Sequence, residues 1–345
     1  MLSETRRFKP FLIVAILLLN IPLFLQAQDK VRLADKPLFR DPVYDGAADP
    51  TIIWNRKENR WFMFYTNRRA NEEQLDGVSW VHGTRIGIAE SLDGGATWQY
   101  RDTCDIQYRM EGYTHWAPEV IEHKGNYHMY LTYVPGVFKE WGHPRWIVHL
   151  TSKNMINWKF ESKLELASDR CIDACVFRLP DGKWRMYYNN ERDGKSMYYA
   201  DSDDLYNWKD SGKKVVGDRG EGPVVFRWMN KNWMLCDAWD GLSVFSSDDL
   251  INWQRQENNI LQKPGKGKDD KVMGGHPGVV VHGDKAFVFY FTHPGRVEDN
   301  KGVDSYRTRR SSIQVAQLEF TDGKITCDRD KPVYINLSEP DKKNN

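Results

Sequence analysis

Five polar residues stand at the start of five similar stretches of the 345-residue chain: Asp49, Glu119, Asp173, Glu221 and His276. Each lies in a Gly, Pro or Ala setting and is followed by an apolar run. Four carboxyl groups and an imidazole gathered in one cavity are electrostatically costly. Like charges at short range and partial burial push some carboxyl pKa values up. Such clustering marks functional sites. Any one of these acids could simply cap a turn or pair with an arginine; five in matching positions argue for chemistry. Two carboxyls flanking a bond are what glycosidic hydrolysis uses: one protonated to assist the leaving group, one ionised to activate water or attack carbon. Asp49, in the short Ala48-Asp49-Pro50 turn, suits the ionised base. Glu221, between Gly220 and Gly222-Pro223, has the longer reach and suits the acid, with Asp173 placed to hold it and raise its pKa.

The elements that must position these residues repeat. One unit is a polar opening, an apolar strand, a tight turn, an aromatic strand, a third strand and a closing Ser…Trp pair. The first runs through Thr51-Ile52-Ile53 and Trp61-Phe62-Met63-Phe64-Tyr65 to Ser91 and Trp98. Later units close on Ser152 and Trp158, Ser202 and Trp208, and Ser247 and Trp253, while the fifth ends on Ile313–Phe320 without that close. Short strands with period-two character and no sustained helical period predict an all-β fold. The unit openings are 70, 54, 48 and 55 residues apart, which suits four-stranded blades with variable loops. Five such repeats predict a five-bladed β-propeller of four-stranded antiparallel blades, with the first strand of each blade lining the channel. The Ser…Trp pairs read as blade-closing turns with Trp packed between blades. Residues 28–47 read as a lead-in that helps close the ring, and the polar tail from about Asp328 as fraying near its end.

The blade openings resemble those of glycoside hydrolase family 43 and its relatives. Ala48-Asp49-Pro50, Trp116-Ala117-Pro118-Glu119, Ile172-Asp173-Ala174, Gly220-Glu221-Gly222-Pro223 and Gly275-His276 carry the resemblance, in the family's order. It covers about residues 40–320. Two departures are Ala174, where the family usually has Pro, and Glu119 at the end of the second motif. The resemblance implies a propeller of inverting, mostly exo-acting enzymes that cleave arabinose-, xylose- or galactose-containing polysaccharides. It implies Asp49 as general base, Asp173 as pKa modulator and Glu221 as general acid. It implies that His276 contacts a central calcium or water cluster, and that a late blade-five arginine, Arg310 ahead of Arg309, touches the catalytic acids. No cofactor is required for this chemistry, a structural calcium being the one metal expected. A sister family that cleaves anhydro-galactose from agar fragments shares the pattern.

Loops between blades carry Trp80, Trp116, Phe138, Trp141, Trp146 and Trp239. Trp116, near Glu119, and Trp239, between Asp237 and Asp240, are the candidates for stacking on sugar. His82, His115, His143 and His293 read as hydrogen-bonded loop residues rather than metal ligands.

Lys and Arg number 49 and Asp and Glu 48, a balance that lacks the basic excess of a nucleic-acid binder. Arg6, Arg7 and Lys9 precede the apolar run Phe11–Leu19, and Ala27 offers a cleavage point. Residues 1–27 therefore read as a secretory signal, residues 28–345 as one catalytic domain, and the location as periplasmic or secreted. No later run is long enough to span a membrane. The five cysteines match no zinc pattern and read mostly as core thiols. HExxH, nucleotide-type GxGxxG and GxSxG motifs are absent. Two other readings come from different classes. Ser91 to Trp98 matches the S-x-D-x-G-x-T-W aspartate box of sialidases, but those enzymes need an arginine triad where this ring is acidic. A non-catalytic sugar-binding propeller would keep the aromatic walls and tolerate loss of an acid, whereas here all three acids are present.

Overall fold

The computed structural model describes residues 31–340. The expected signal over residues 1–27 and the last residues of the tail, 341–345, lie outside them. No helix among the described residues is long and apolar enough to cross a membrane.

Five antiparallel sheets follow one another along the chain, each built from consecutive strands. Blade one is Ala47–Asn55, Arg60–Asn67, Arg85–Ser91 and Gln99–Thr103. Blade two is Thr114–His123, Asn126–Val134, Trp146–Ser152 and Asn157–Lys163, with the short strand Asp105–Ile106 added in parallel at its outer edge. Blade three starts at Cys171–Arg178, blade four at Glu221–Trp228 and blade five at Gly275–His282. The fold is the five-bladed propeller that the repeat predicts.

Both faces of each blade are buried, and the pleat decides which neighbour a side chain meets. In blade one, Phe62 and Phe64 pack into the cluster shared with blade two, beside Met129 and Leu131. The alternate residues Trp61, Met63 and Tyr65 pack with Phe287, Phe289 and Phe291 of blade five. This explains why the second strands read as continuous apolar runs rather than alternating ones. Each of the other interfaces has its own cluster, so the core is five wedges between blades.

The Ser…Trp turns pin these wedges. In blade three, Leu205 N–H donates to Ser202 Oγ at 2.9 Å and Trp208 Nε1–H to the Leu205 carbonyl at 3.1 Å. Trp158, Trp208 and Trp253 then meet Phe64, Tyr130 and Tyr187 of the preceding blade edge-on. Ring closure uses the chain ends. Arg32–Leu33 pairs with Tyr334–Ile335, Phe39 bridges Ile313, and Leu337 N–H donates to the Gly94 carbonyl at 2.8 Å. The tail is thus tied down as far as Leu337, with Val333, Ile335 and Leu337 buried. All five cysteines are free thiols, four of them buried.

Candidate active site

A β-bulge interrupts the first strand of every blade, and it fixes where the polar residues point. Pairing with the second strand breaks between Ala48 and Thr51, Trp116 and Glu119, Ile172 and Cys175, Glu221 and Val224, and Gly275 and Gly278. The equivalent bulge residues are therefore Asp49, Ala117, Asp173, Gly222 and His276. All five have positive φ, from 34° to 57°. For a non-glycine residue that conformation costs energy and persists only where surrounding bonds enforce it. Here the enforcement is visible. Ala117 N–H donates to Thr66 Oγ1 at 2.8 Å and Asp173 N–H to Thr132 Oγ1 at 3.0 Å. His276 N–H donates to Asp237 Oδ2 at 2.8 Å, and Gly222 N–H to Asp173 Oδ2 at 3.1 Å.

This corrects the expectation that five polar residues share one register. Glu221 stands one residue before the bulge position and Glu119 two after it. The bulge sends Asp49, Asp173 and His276 into one cavity of about 860 Å³, which Glu221 also lines. Glu119 is not part of its wall. It reaches across to blade three, where Oε1 accepts Val176 N–H at 2.9 Å, and burial pushes its carboxyl up to about 8.

The carboxyls in the cavity have opposite surroundings. Burial pushes Asp49 up, but the charges of Arg68 and His276 and hydrogen bonds from Thr66 and Arg68 prevail and hold it below the usual range. Arg68 Nη2 donates to Asp49 Oδ1 at 3.0 Å, and His276 Nδ1 lies 3.4 Å from the same oxygen. Asp173 has no such cation in contact among the described residues. Burial, with Glu221 and Asp49 nearby, pushes it up to about 7, against the pull of His276. Glu221 meets Lys195 Nζ at 2.8 Å, and Lys195 also holds Glu191 at 2.7 Å. Burial pulls the His276 imidazole down, but the four surrounding carboxyls, Asp49 first, outweigh it and raise it.

Sequence reasoning missed Lys195 and two further residues of this site. Asp237 ends the second strand of blade four, directly opposite Glu221, where the other blades have Thr66, Thr132, Asn189 and Phe291. It is buried, and burial together with Glu221 pushes it up to about 6. Its two oxygens accept the N–H groups of His276 and Trp239, both at 2.8 Å. Arg68 is the second. It follows the second strand of blade one, and its N–H donates to the Gly46 carbonyl. A Cβ at Gly46 would stand 1.8 Å from the Arg68 carbonyl oxygen, so only glycine fits there.

Arg310 is corrected accordingly. Its side chain pairs with Asp269 at 2.8 Å and is not part of the cavity wall. It acts at one remove: its carbonyl accepts His293 Nδ1–H at 3.0 Å, and His293 Nε2 faces Arg68 Nη1 at 3.3 Å. Arg309 pairs with Asp304 and lies over Trp80. Trp116 and Trp239 both line the cavity. Trp116 is buried, held by its Nε1–H to the Val81 carbonyl at 2.6 Å, with Trp141 tilted against it. Trp239 is half-buried, with φ of 54°. His82 and His115 bond backbone carbonyls, as expected of loop histidines. The calcium expectation meets an unsuitable donor set at His276. The oxygen facing its Nδ1 already receives Arg68, and a Cβ on Gly222 would come within 2.8 Å of the ring, so the imidazole lies flat on that glycine. Among the described residues no group of three or more His, Cys, Asp or Glu side chains could hold a metal.

An ionised carboxylate and a carboxyl whose proton affinity reaches neutrality, in one sugar-sized cavity walled by tryptophans, can hydrolyse a glycosidic bond. Comparison with known proteins agrees. The family model for glycosyl hydrolases family 43 matches residues 39–236. A thermostable family-43 glycoside hydrolase has a similar fold, with TM-score 0.60 and 18% identity over 88% of this chain and 99% of that one. A family-43 β-1,3-galactosidase solved with galactodeoxynojirimycin has TM-score 0.62 and 16% identity over 86% and 98%. The family-32 β-fructofuranosidase of Bombyx mori has TM-score 0.62 and 12% identity over 86% and 66%. No curated protein matches the chain in sequence. With the family model spanning more than half of the sequence, and the bulge-mounted acids in place, the chain belongs to glycoside hydrolase family 43.

Proposed function

We propose that this glycoside hydrolase is exported, inverts the anomeric centre and acts from chain ends, releasing arabinose-, xylose- or galactose-type residues from plant or algal polysaccharide fragments. The observation that carries this reading is one cavity that gathers Asp49, held ionised by Arg68 and His276, with Glu221 and with Asp173, which is pushed up to about 7 and accepts the N–H of Gly222 next to Glu221. Structural relatives support the sugar classes. One is a β-1,3-galactosidase, one a β-xylosidase, and one a β-xylosidase/α-arabinofuranosidase.

In this mechanism Asp49 takes a proton from water as the water oxygen bonds to the anomeric carbon. Protonated Glu221 gives its proton to the glycosidic oxygen as the carbon–oxygen bond breaks. The new carboxylate of Glu221 is then met by the Lys195 ammonium 2.8 Å away, so Lys195 stabilises charge where it develops. Asp173 accepts the N–H of Gly222 and so fixes the backbone that carries Glu221. Inversion requires the Asp49 and Glu221 carboxyls to stand roughly 6.5–9.5 Å apart, with a water between.

The test is incubation of the mature protein with arabinan, arabinoxylan, arabinogalactan and agar oligosaccharides, with Glu221→Ala alongside and products followed by chromatography and proton NMR. One monosaccharide released by the wild type alone, first appearing as the inverted anomer, is the expected result. Release with retained configuration would overturn inversion. Oligosaccharide products would overturn exo action.

A further inference from the structure

The charges lining the cavity are sorted by position. Inner acids meet inner cations: Arg68 lies on Asp49, Lys195 on Glu221 and Glu191, and Arg145 on Glu191 at 3.1 Å. Three further cations line the same cavity: Arg219, Lys271 and Arg296. All three are exposed, and none has a carboxylate partner within salt-bridge distance among the described residues. Of the acids on the wall, Glu298 is paired with Lys301 at 3.4 Å. Asp173, pushed up to about 7 by burial and by Glu221, is only partly ionised at neutrality and offsets these cations little.

Two of the three are also aimed. Arg219 lies over the Trp239 ring, 4.6 Å from its centroid, and Arg296 over the Trp80 ring at 6.0 Å. Stacking holds a guanidinium flat on an aromatic wall and leaves its edge N–H groups free to donate in the plane. Among the described residues the Arg296 side chain donates one hydrogen bond, from Nε–H to the Thr308 carbonyl at 3.0 Å. Although part of its side chain is exposed, the protein packed around its head group and the Arg68 charge pull Arg296 down to about 10, with Asp304 pulling the other way. Uncompensated cations on a substrate cavity favour a negatively charged ligand, and a guanidinium edge matches the two oxygens of a carboxylate or sulfate.

We propose that the substrate is an anionic saccharide, carrying a carboxylate or a sulfate ester near the residue released, and that Arg219, Lys271 and Arg296 receive that group. This rests on the glycosidase reading above, since it names the substrate class of the same cavity.

The experiment uses matched pairs of oligosaccharides: glucuronic-acid-bearing arabinogalactan or xylan fragments against their carboxyl-reduced forms, and sulfated agar fragments against desulfated ones. The expected result is a kcat/KM at least about tenfold higher for the anionic member of one pair, falling steeply between low and high NaCl. Arg296→Gln and Arg219→Gln should lower the anionic-to-neutral ratio toward one. The pair that shows the preference separates carboxylate from sulfate. A ratio near one or below in every pair, with turnover intact, would overturn the inference and leave the glycosidase reading standing. Should no pair be hydrolysed, calorimetric binding of the same pairs to the wild type decides. Tighter binding of the anionic member upholds the inference while the glycosidase reading fails, and equal or absent binding overturns it.

Discussion

Polar residues recur at two places in the blades, the inner bulge of blades one, three and five and the outer Ser…Trp turn of blades one to four, and their surroundings differ. At the outer turns the acids close on themselves. Asp204 accepts the N–H groups of Asn207 and Tyr206, both at 2.8 Å, and hydrogen bonds led by Asn207 hold it down to about 2. Asp249 and Asp93 occupy the same place in their blades, and both are held low. At the inner ends of the strands, burial and neighbouring carboxyls push the bulge residue Asp173 and the strand-end residue Asp237 up, while Arg68 and His276 hold Asp49 down. A repeated acid whose lone pairs are met by its own turn is architecture. One whose neighbours are other acids is chemistry. The aspartate box at Ser91–Trp98 falls on the first side. Asp93 accepts Thr97 N–H at 3.0 Å and Thr97 Oγ1–H at 2.9 Å within a single turn.

Substitutions can break this contrast, and the largest effect is expected at Asp49. Asp49→Asn removes the base and should lower kcat by about 10²–10⁴-fold, as loss of a general base does. A loss under tenfold in steady-state kinetics would move Asp49 to the structural side. Asp237→Asn comes next. Asp237 anchors the N–H groups of His276 and Trp239, and a slight displacement of a site costs up to about a hundredfold in rate. Its negative charge also raises the proton affinity of the His276 imidazole beside it. Removing that charge should move the alkaline limb of the pH–rate profile downward by about one unit. An unmoved limb would reduce Asp237 to a structural anchor.

Glu119 sharpens the comparison, because it is an inner acid that the bulge turns away from the cavity. Burial raises its carboxyl from 4.5 to about 8 in the folded chain. Its contribution to stability is therefore complete below pH 4.5 and is lost as pH rises through about 8. Glu119→Gln cannot ionise, so the stability of the variant relative to wild type should rise between pH 5 and pH 8 by an amount on the order of a few kcal/mol. Denaturant melts at the two pH values measure this, and a difference independent of pH would contradict it. The smallest effect belongs to the outer turns. Ser202→Ala leaves Leu205 N–H without its acceptor and should cost about 1–3 kcal/mol of stability, with kcat on the same substrate held within about twofold.

Strand order, blade count and the Ser…Trp turns were legible because each repeats a local pattern of spacing and apolarity. The inner register was less so. Matching acid to acid placed Glu119 and Glu221 level with Asp49, whereas the bulge residue is the one preceding Pro50, Pro118, Pro223 and Pro277. Proline lacks the N–H that a ladder needs, so aligning on the prolines would have found the bulge. Ala174 in blade three hid that signal. Arg68 and Asp237 carry no motif, because they sit at strand ends and reach the site only through sheet register and ring closure. The expectation for Arg310 came from family position, and Asp269 in the preceding loop takes up that side chain.

The central claim is that Glu221 donates the proton to the departing sugar oxygen. Its most direct test is Glu221→Ala on two substrates with the same sugar, a natural oligosaccharide and a dinitrophenyl glycoside whose leaving group needs no proton. A kcat/KM that collapses on the first and is largely retained on the second is the predicted result. Equal losses on both, or activity on both, would contradict it.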